Sequence, residues 1–318
     1  MHYIVFDLEW NQAPCKEREV KGIMFEILEI GAVKLDEEFN VVDSFHSLVR
    51  PQIYKYLHNA TKKILHLDLK EMRENERPFD EVASEFLEWC EEAPVFCTWG
   101  PSDLTELRGN MEYYKMEPLC SGPMEYLDVQ KLFSLECEDG KSRRSLEYAV
   151  GYFEIDESQQ FHSALADAKY TAQIFRNFAG SKVLEYCSYD TYHLPENKAD
   201  EIYHNFPTYS KYISRKFKNK NVAMSKKEVY TVQCNHCGQK AARVVKWFSP
   251  NGGKYYLAVS RCTEHGFLKA KARIKRTDSE MIYVVKTVKS ITSAQVKTIK
   301  DKYEAAADRE RASGSRHH

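Results

Sequence analysis

The chain has 318 residues, 43% hydrophobic and 29% charged, enough apolar material for two cores and too much for a disordered chain. No apolar run reaches the roughly 18 residues of a membrane span, and the first residues, Met1 to Phe6, lack the basic start of a secretion signal. Nine scattered cysteines, an odd number, suit a reducing cytoplasm better than a disulfide framework. The net charge of −1 conceals a division. Residues 1–180 carry 19 Lys+Arg against 34 Asp+Glu (net −15), and residues 181–318 carry 27 against 13 (net +14). Either one half handles cations and the other polyanions, or two surfaces of opposite sign dock on each other.

In chain order, residues 2–9 are rich in Ile, Val and Phe and predict a buried strand. Residues 26–35 and 41–49 predict two more strands across the polar turn 36–40. From 78 to 92, Phe79, Val82, Phe86, Leu87 and Cys90 recur at helical spacing behind Pro78, a residue suited to a helix start. A short strand over 94–98 follows. Helices are then expected at 102–116, at 142–152 behind a Ser142 cap, and at 163–179. Strands first and then alternation indicate an α/β sheet domain over 1–180. Residues 181–222 are tyrosine-rich and basic without a clear period, which reads as a connector. Residues 223–290 show short β-prone runs and the hairpin signal Asn251-Gly252-Gly253, as in a small β-rich module. A C-terminal helix is expected over 291–312, and 313–318 read as the remnant of a purification tag.

The chemistry concentrates in three places. Asp7-Leu8-Glu9 ends the first strand, and alternation puts Asp7 and Glu9 on one face with Phe6 and Leu8 on the other. Two acids on one face of an apolar strand are costly unless a cation neutralises them, and carboxylate oxygens suit Mg²⁺ or Mn²⁺. Asp103 follows a short strand at the start of a helix, where Asp often serves only as a cap. His162 stands at a helix entrance with Asp167 further in, among Ala164, Ala166 and Ala168. These small neighbours allow the helix to lie close to the sheet and carry Asp167 towards the first strand. Each piece alone has a purely structural reading; the set of three, in order, is far more specific.

Asp-x-Glu, a later Asp behind a strand, and His-x-x-x-x-Asp, in that order, resemble the DEDDh branch of the DnaQ-like exonucleases over about residues 1–180. Glu26-Ile27-Leu28-Glu29-Ile30-Gly31-Ala32-Val33, Val49-Arg50-Pro51 and His162-Ser163-Ala164-Leu165-Ala166-Asp167-Ala168 are similar to the subgroup of histone-mRNA exonucleases and KapD-like bacterial proteins. Trp10 departs from the wider family, where Thr is common. The resemblance implies an RNase H-like mixed five-stranded sheet flanked by helices, and a metal-dependent 3′→5′ exonuclease for single-stranded nucleic acid, RNA in preference to DNA. It implies two Mg²⁺ or Mn²⁺ ions held by Asp7, Glu9, Asp103 and Asp167. Asp7 would bridge both, Glu9 and Asp167 would complete one, and Asp103 would hold the other through water. Ions ~4 Å apart clamp the attacking and leaving oxygens of a phosphodiester displacement. His162 would be the general base, since histidine is the side chain that changes charge near neutral pH. Leu8 and Trp10 are candidate contacts to the terminal base, with core packing the other role open to Trp10.

Cys234-Asn235-His236-Cys237-Gly238 and Cys262-Thr263-Glu264-His265-Gly266 form a second constellation. Cys-x2-Cys and Cys-x2-His knuckles match a closed tetrahedral site for one structural Zn²⁺, held by Cys234, Cys237, Cys262 and His265, as in a zinc ribbon. His236 lies between the cysteines and is less well placed. Basic residues interleaved with aromatics, among them Lys246, Trp247, Lys254, Tyr255, Tyr256 and Lys271, suit a single strand of nucleic acid. The same residues also read as a small core with a solvated face. The chain as a whole is read as a cytoplasmic exonuclease with a basic zinc module that captures single-stranded substrate. Two other readings stand beside it: an exonuclease for single-stranded DNA or short oligonucleotides, and a regulator that binds a protein partner.

Overall fold

In the computed structural model, which describes residues 2–65, 68–157 and 161–314, the first strand β1 (Tyr3–Gln12) runs buried through the middle of a sheet. Its alternation separates two faces. Ile4, Phe6 and Leu8 join a core with α3 (Phe79–Cys90) and α4 (Ser102–Tyr113) through Val82, Phe86, Leu104 and Leu107. Tyr3 points the other way, onto Phe39 and Phe175. β2 (Phe25–Leu35) and β3 (Val41–Leu48) lie antiparallel on one side of β1, while β4 (Val95–Thr98) and β5 (Met124–Asp128) lie parallel on the other. β6 (Ser188–Asp190) closes the edge antiparallel to β5, giving the order β3-β2-β1-β4-β5-β6. The sheet is RNase H-like and mixed, as expected, but has six strands rather than five. The added strand is held by a buried ion pair from Arg108 in α4 to Asp190, at 2.6 Å.

The remaining helices of this part are α1 (Asn59–Ile64), α2 (Leu69–Asn75), α5 (Val129–Cys137), α6 (Leu146–Tyr152) and α7 (Ala164–Arg176). Ser145 caps α6 by accepting the Tyr148 N–H at 3.3 Å, so the cap is Ser145 and not Ser142. Glu26, at the start of β2, accepts the N–H groups of Gln52, Ile53 and Tyr54 at 2.5, 2.6 and 2.9 Å and so binds the following loop to the sheet.

The chain divides at His193/Leu194 into two compact units, which corrects the connector expected over 181–222. Its first part supplies β6 to the first sheet. Its second part supplies β7 (Ile202–Asn205) and β8 (Tyr209–Ile213) to another. Strands of three to five residues alternate too briefly to show a period. With the boundary at 193, the charges divide as −16 and +15.

The second unit is an antiparallel sheet of six strands, wider than the ribbon expected over 223–290. It includes β9 (Ala242–Phe248), β10 (Tyr255–Cys262), β11 (Gly266–Arg276) and β12 (Ile282–Ser290), in the order β7-β8-β12-β11-β10-β9. The short helices α8 (Lys220–Ser225) and α9 (Lys227–Tyr230) bury Ala223 and Val229 against Tyr212, Ala272 and Val284. Lys286 of β12 is 4% exposed and donates to the carbonyls of Glu228, Val229 and Thr231, which fastens the end of α9 to the sheet. Burial lowers its pKa to about 8. α10 (Ser293–Gly314) packs Val296, Ile299 and Ala306 on Val245, Phe248, Leu257 and Val259. It begins two residues later than expected and runs through 313 and 314; of the residues read as a tag, 315–318 lie outside those described.

Candidate active site and cysteine–histidine cluster

The carboxylates gather beside the middle of β1, just past the end of β4; β1 runs on to Gln12, so Asp7-Leu8-Glu9 lies within the strand and not at its end. Asp7 pairs with Gly31 and Glu9 with Glu29 across the β1–β2 ladder, which then slips by one residue between Glu9 and Trp10. α7 lies over this part of the sheet. An added Cβ on Gly31 would stand 2.0 Å from the backbone N of Leu165 and 2.2 Å from the carbonyl carbon of Ala164. Only glycine lets the helix come so near. The approach carries Asp167 to the acids of β1, and ligand atoms of Glu9, His162 and Asp167 lie within 4.8 Å of one another. From the other side α4 brings Asp103 in its first turn, 5% exposed, its Oδ1 accepting the Leu8 N–H at 3.2 Å. All five residues of the expected catalytic set lie on this part of the sheet, and Glu9, His162 and Asp167 are the three whose ligand atoms meet.

Electrostatics describes a site short of positive charge. Burial raises the pKa of Asp7 well above the usual carboxylate range, with further upward pushes from Asp103, Glu9, Asp167 and Glu29. Glu9 is raised to about 8, first by burial and then by Asp167 and Glu29. Asp103 rises to about 7 and Asp167 to about 6, burial again leading. Among the described residues, no lysine or arginine forms an ion pair with any of the four. Asp167 Oδ2 accepts the His162 N–H at 3.2 Å, whereas its Oδ1 is buried without a partner. An unpartnered carboxylate oxygen amid three other acids is the donor set of a hard divalent cation. His162 is exposed and has φ +66, an uncommon conformation for a non-glycine residue and one found disproportionately at functional sites.

The structure adds a fifth acid that the sequence reasoning did not assign. Glu29 is 4% exposed and accepts from Ser163 Oγ and the Ala164 N–H, both at 3.1 Å, and it pairs with His46 Nε2 at 2.9 Å. Its Oε1 thereby holds the first turn of α7 to the sheet. Strand alternation could have found it, since Glu29 and Gly31 share a face of β2 and oppose Glu9 and Asp7. Leu8 requires a correction. Its side chain is 3% exposed and lies in the core with Phe6, so it does not reach a substrate base. Trp10 is half-buried, packed beside that core with its ring 5.6 Å from Phe25.

In the second unit, Cys234, Cys237, Cys262 and His265 present ligand atoms all within 4.8 Å of one another. The first knuckle precedes β9 and the second is the β10–β11 turn, where Cys262 faces Gly266. Gly238 and Gly266 have φ +70 and +75, which permits both tight turns. Backbone N–H bonding from His265 is the first cause lowering the Cys262 thiol to about 6, favouring the thiolate form that metals bind. His236 instead hydrogen-bonds Ser290 Oγ at 3.0 Å. On β11, Lys269, Lys271, Arg273 and Lys275 alternate with the buried Ala270 and Ala272, so four cations share one face.

The chain matches the family model RNase_T, described as exonuclease, over residues 4–175, more than half its length. It belongs to that exonuclease family. It is 30% identical over 154 residues to the PolC-type DNA polymerase III of Thermotoga petrophila, covering 48% of this chain and 10% of the polymerase. The nuclease domain of 3′hExo, a DEDDh family member bound to rAMP, is 18% identical with a TM-score of 0.47, over 56% of this chain and 90% of that one. The E. coli ExoI–ssDNA complex is 16% identical with a TM-score of 0.45, over 58% and 42%. Among the described residues no helix is long and apolar enough to cross a membrane.

Proposed function

We propose that the first unit is a metal-dependent 3′→5′ exonuclease, with Asp7, Glu9, Asp103 and Asp167 holding two Mg²⁺ or Mn²⁺ ions and His162 acting as general base. The observation that carries this reading is a cluster of four carboxylates, all raised in pKa and, among the described residues, without a lysine or arginine partner, one of which, Asp167, keeps a buried and unpartnered Oδ1. When bound, the ions would polarise the phosphodiester and activate the attacking water. Asp7 feels the charges of Asp103, Glu9 and Asp167 and would be one of the residues holding the ions. Glu9 and Asp167 flank it, and Asp103 is fixed by the Leu8 N–H. A ring nitrogen of His162, at the exposed rim, accepts the water's proton. Glu29 and Gly31 keep α7, and with it Asp167, in register. The exposed part of Trp10 offers a ring to the terminal base.

Single-stranded nucleic acid is the substrate, with RNA preferred on the resemblance of residues 26–33, 49–51 and 162–168, in a cytoplasmic setting. The second unit holds one structural Zn²⁺ through Cys234, Cys237, Cys262 and His265, and its net +15 captures the strand. The test is to replace Asp7 with Ala, and Asp103 and Asp167 each with Asn. Loss of Mn²⁺-dependent nucleotide release in all three, with folding retained, is the expected result. Near-normal turnover in any one at ordinary metal concentration would overturn the assignment.

A further inference from the structure

A cavity of about 660 Å³ lies within the second unit, at the hairpin end of the edge strand β9. Its size falls in the range of about 300–1,000 Å³ common for small-molecule sites. Three exposed cations line it from three separate elements: Lys220 of α8, Lys246 of β9 and Arg309 of α10. No carboxylate lines it among the described residues, and none of the three cations forms an ion pair there. The half-buried rings of Trp247, Tyr256 and Tyr303 complete the wall. The indole of Trp247 is fixed by its N–H bond to the Tyr230 carbonyl at 2.8 Å, and Lys246 Nζ stands 5.9 Å from the Tyr303 ring centre.

The loop over the cavity is braced as well. The Gly253 N–H donates to Ser249 Oγ at 2.7 Å, and Arg309 Nη2 donates to the Pro250 carbonyl at 3.3 Å. Gly253 has φ +92, and a Cβ on it would lie 3.4 Å from Lys220 Nζ and 3.9 Å from Tyr256 Oη. The backbone thus borders the space between cation and ring. Like charges lining one cavity without a counter-charge repel one another, and a phosphate relieves that repulsion, while flat rings beside it accept a base by stacking.

We propose that this cavity is a nucleotide subsite, binding a phosphate through Lys220, Lys246 and Arg309 and a base against the adjoining rings. The nucleotide it takes is an internal one of a single strand. The proposal rests on the reading of the second unit as a strand-capturing surface and locates where on that surface the strand is held. A free mononucleotide offers the same chemistry, and the experiment separates the two sources.

The experiment uses the full chain without added Mg²⁺ or Mn²⁺ and measures fluorescence anisotropy of a labelled 12-nucleotide oligo(U), with competition by UMP. The variant K220A/K246A/R309A is compared with K300A, an exposed lysine of α10 outside the cavity. The triple variant should lose oligo(U) affinity by about tenfold or more and show a salt slope reduced by about 0.7 per phosphate contact removed. K300A should change affinity by less than about twofold. If the wild type binds oligo(U) and the triple variant binds as K300A does, the subsite is refuted while the capturing surface survives elsewhere. If the wild type binds UMP but not the strand, and the triple variant loses UMP, the cavity serves a free nucleotide and the strand-capture reading fails. If the wild type binds neither, both readings fail.

Discussion

Glu9→Gln should inactivate the enzyme and yet stabilise its metal-free form. The folded-state pKa of Glu9 is raised from 4.5 to about 8, so the native fold favours the protonated acid. Stability from this group is fully present below the unfolded value near 4.5 and is lost as pH rises through about 8. At about 1.4 kcal/mol per unit, the ionised carboxylate costs on the order of a few kcal/mol at pH 8, an upper bound because the neighbouring acids share their protons. Asp103 and Asp167, raised to about 7 and about 6, add to the same trend at lower pH. The wild type, dialysed free of Mg²⁺ and Mn²⁺, should therefore melt lower at pH 8 than at pH 5 and recover when Mn²⁺ is added. An amide at position 9 cannot ionise, so the variant should melt about 5–10 °C above the wild type at pH 8 without metal. It should also respond weakly to Mn²⁺. Differential scanning fluorimetry across pH, with and without Mn²⁺, reads all of this. A wild-type melting temperature that is flat with pH and indifferent to Mn²⁺ would refute the charge argument.

Gly31→Ala places a methyl group against backbone atoms that cannot rotate away, so α7 must shift. Destabilisation of about 1–3 kcal/mol or more and loss of activity are expected, and normal melting with normal turnover would show that the close approach is not needed. His162→Ala should retain the Mn²⁺-induced rise in melting temperature while its rate falls by about 10²–10⁴; an unchanged rate excludes it as the base. One zinc per chain should survive extensive dialysis, measured by elemental analysis, and Cys237→Ser should release it while leaving the Mn²⁺ response of the first unit intact. Protein that holds no metal after dialysis would count against the four-ligand site.

Much of the catalytic end was legible because it sits on long elements. β1 has ten residues and α7 thirteen, so alternation and helical spacing place Asp7, Glu9 and Asp167 without three-dimensional information. The two knuckles are local pairs in sequence, and the fold brings Cys234, Cys237, Cys262 and His265 together. What escaped depends on partners distant in sequence. Glu29 looks like one more acid in a strand until Ser163 and Ala164 arrive from more than 130 residues away. Gly31 looks like an ordinary β glycine until α7 is laid across it. Leu8, a candidate base contact in the sequence, shares a face with Phe6, and the core claims it. β5 and α5 went unassigned because Asp128 ends one and caps the other, accepting the Lys131 N–H at 2.9 Å, with no loop between them.

Matched RNA and DNA strands labelled at the 3′ or the 5′ end decide the direction and metal dependence of cleavage. With Mn²⁺ or Mg²⁺, the 3′ label should leave at once as a mononucleotide, while the 5′-labelled strand shortens through a ladder. RNA should be consumed faster than DNA, and nothing should be cut without metal or by Asp7→Ala. Release of the 5′ label first, or equal cleavage in the absence of any divalent ion, would exclude a metal-dependent 3′→5′ exonuclease.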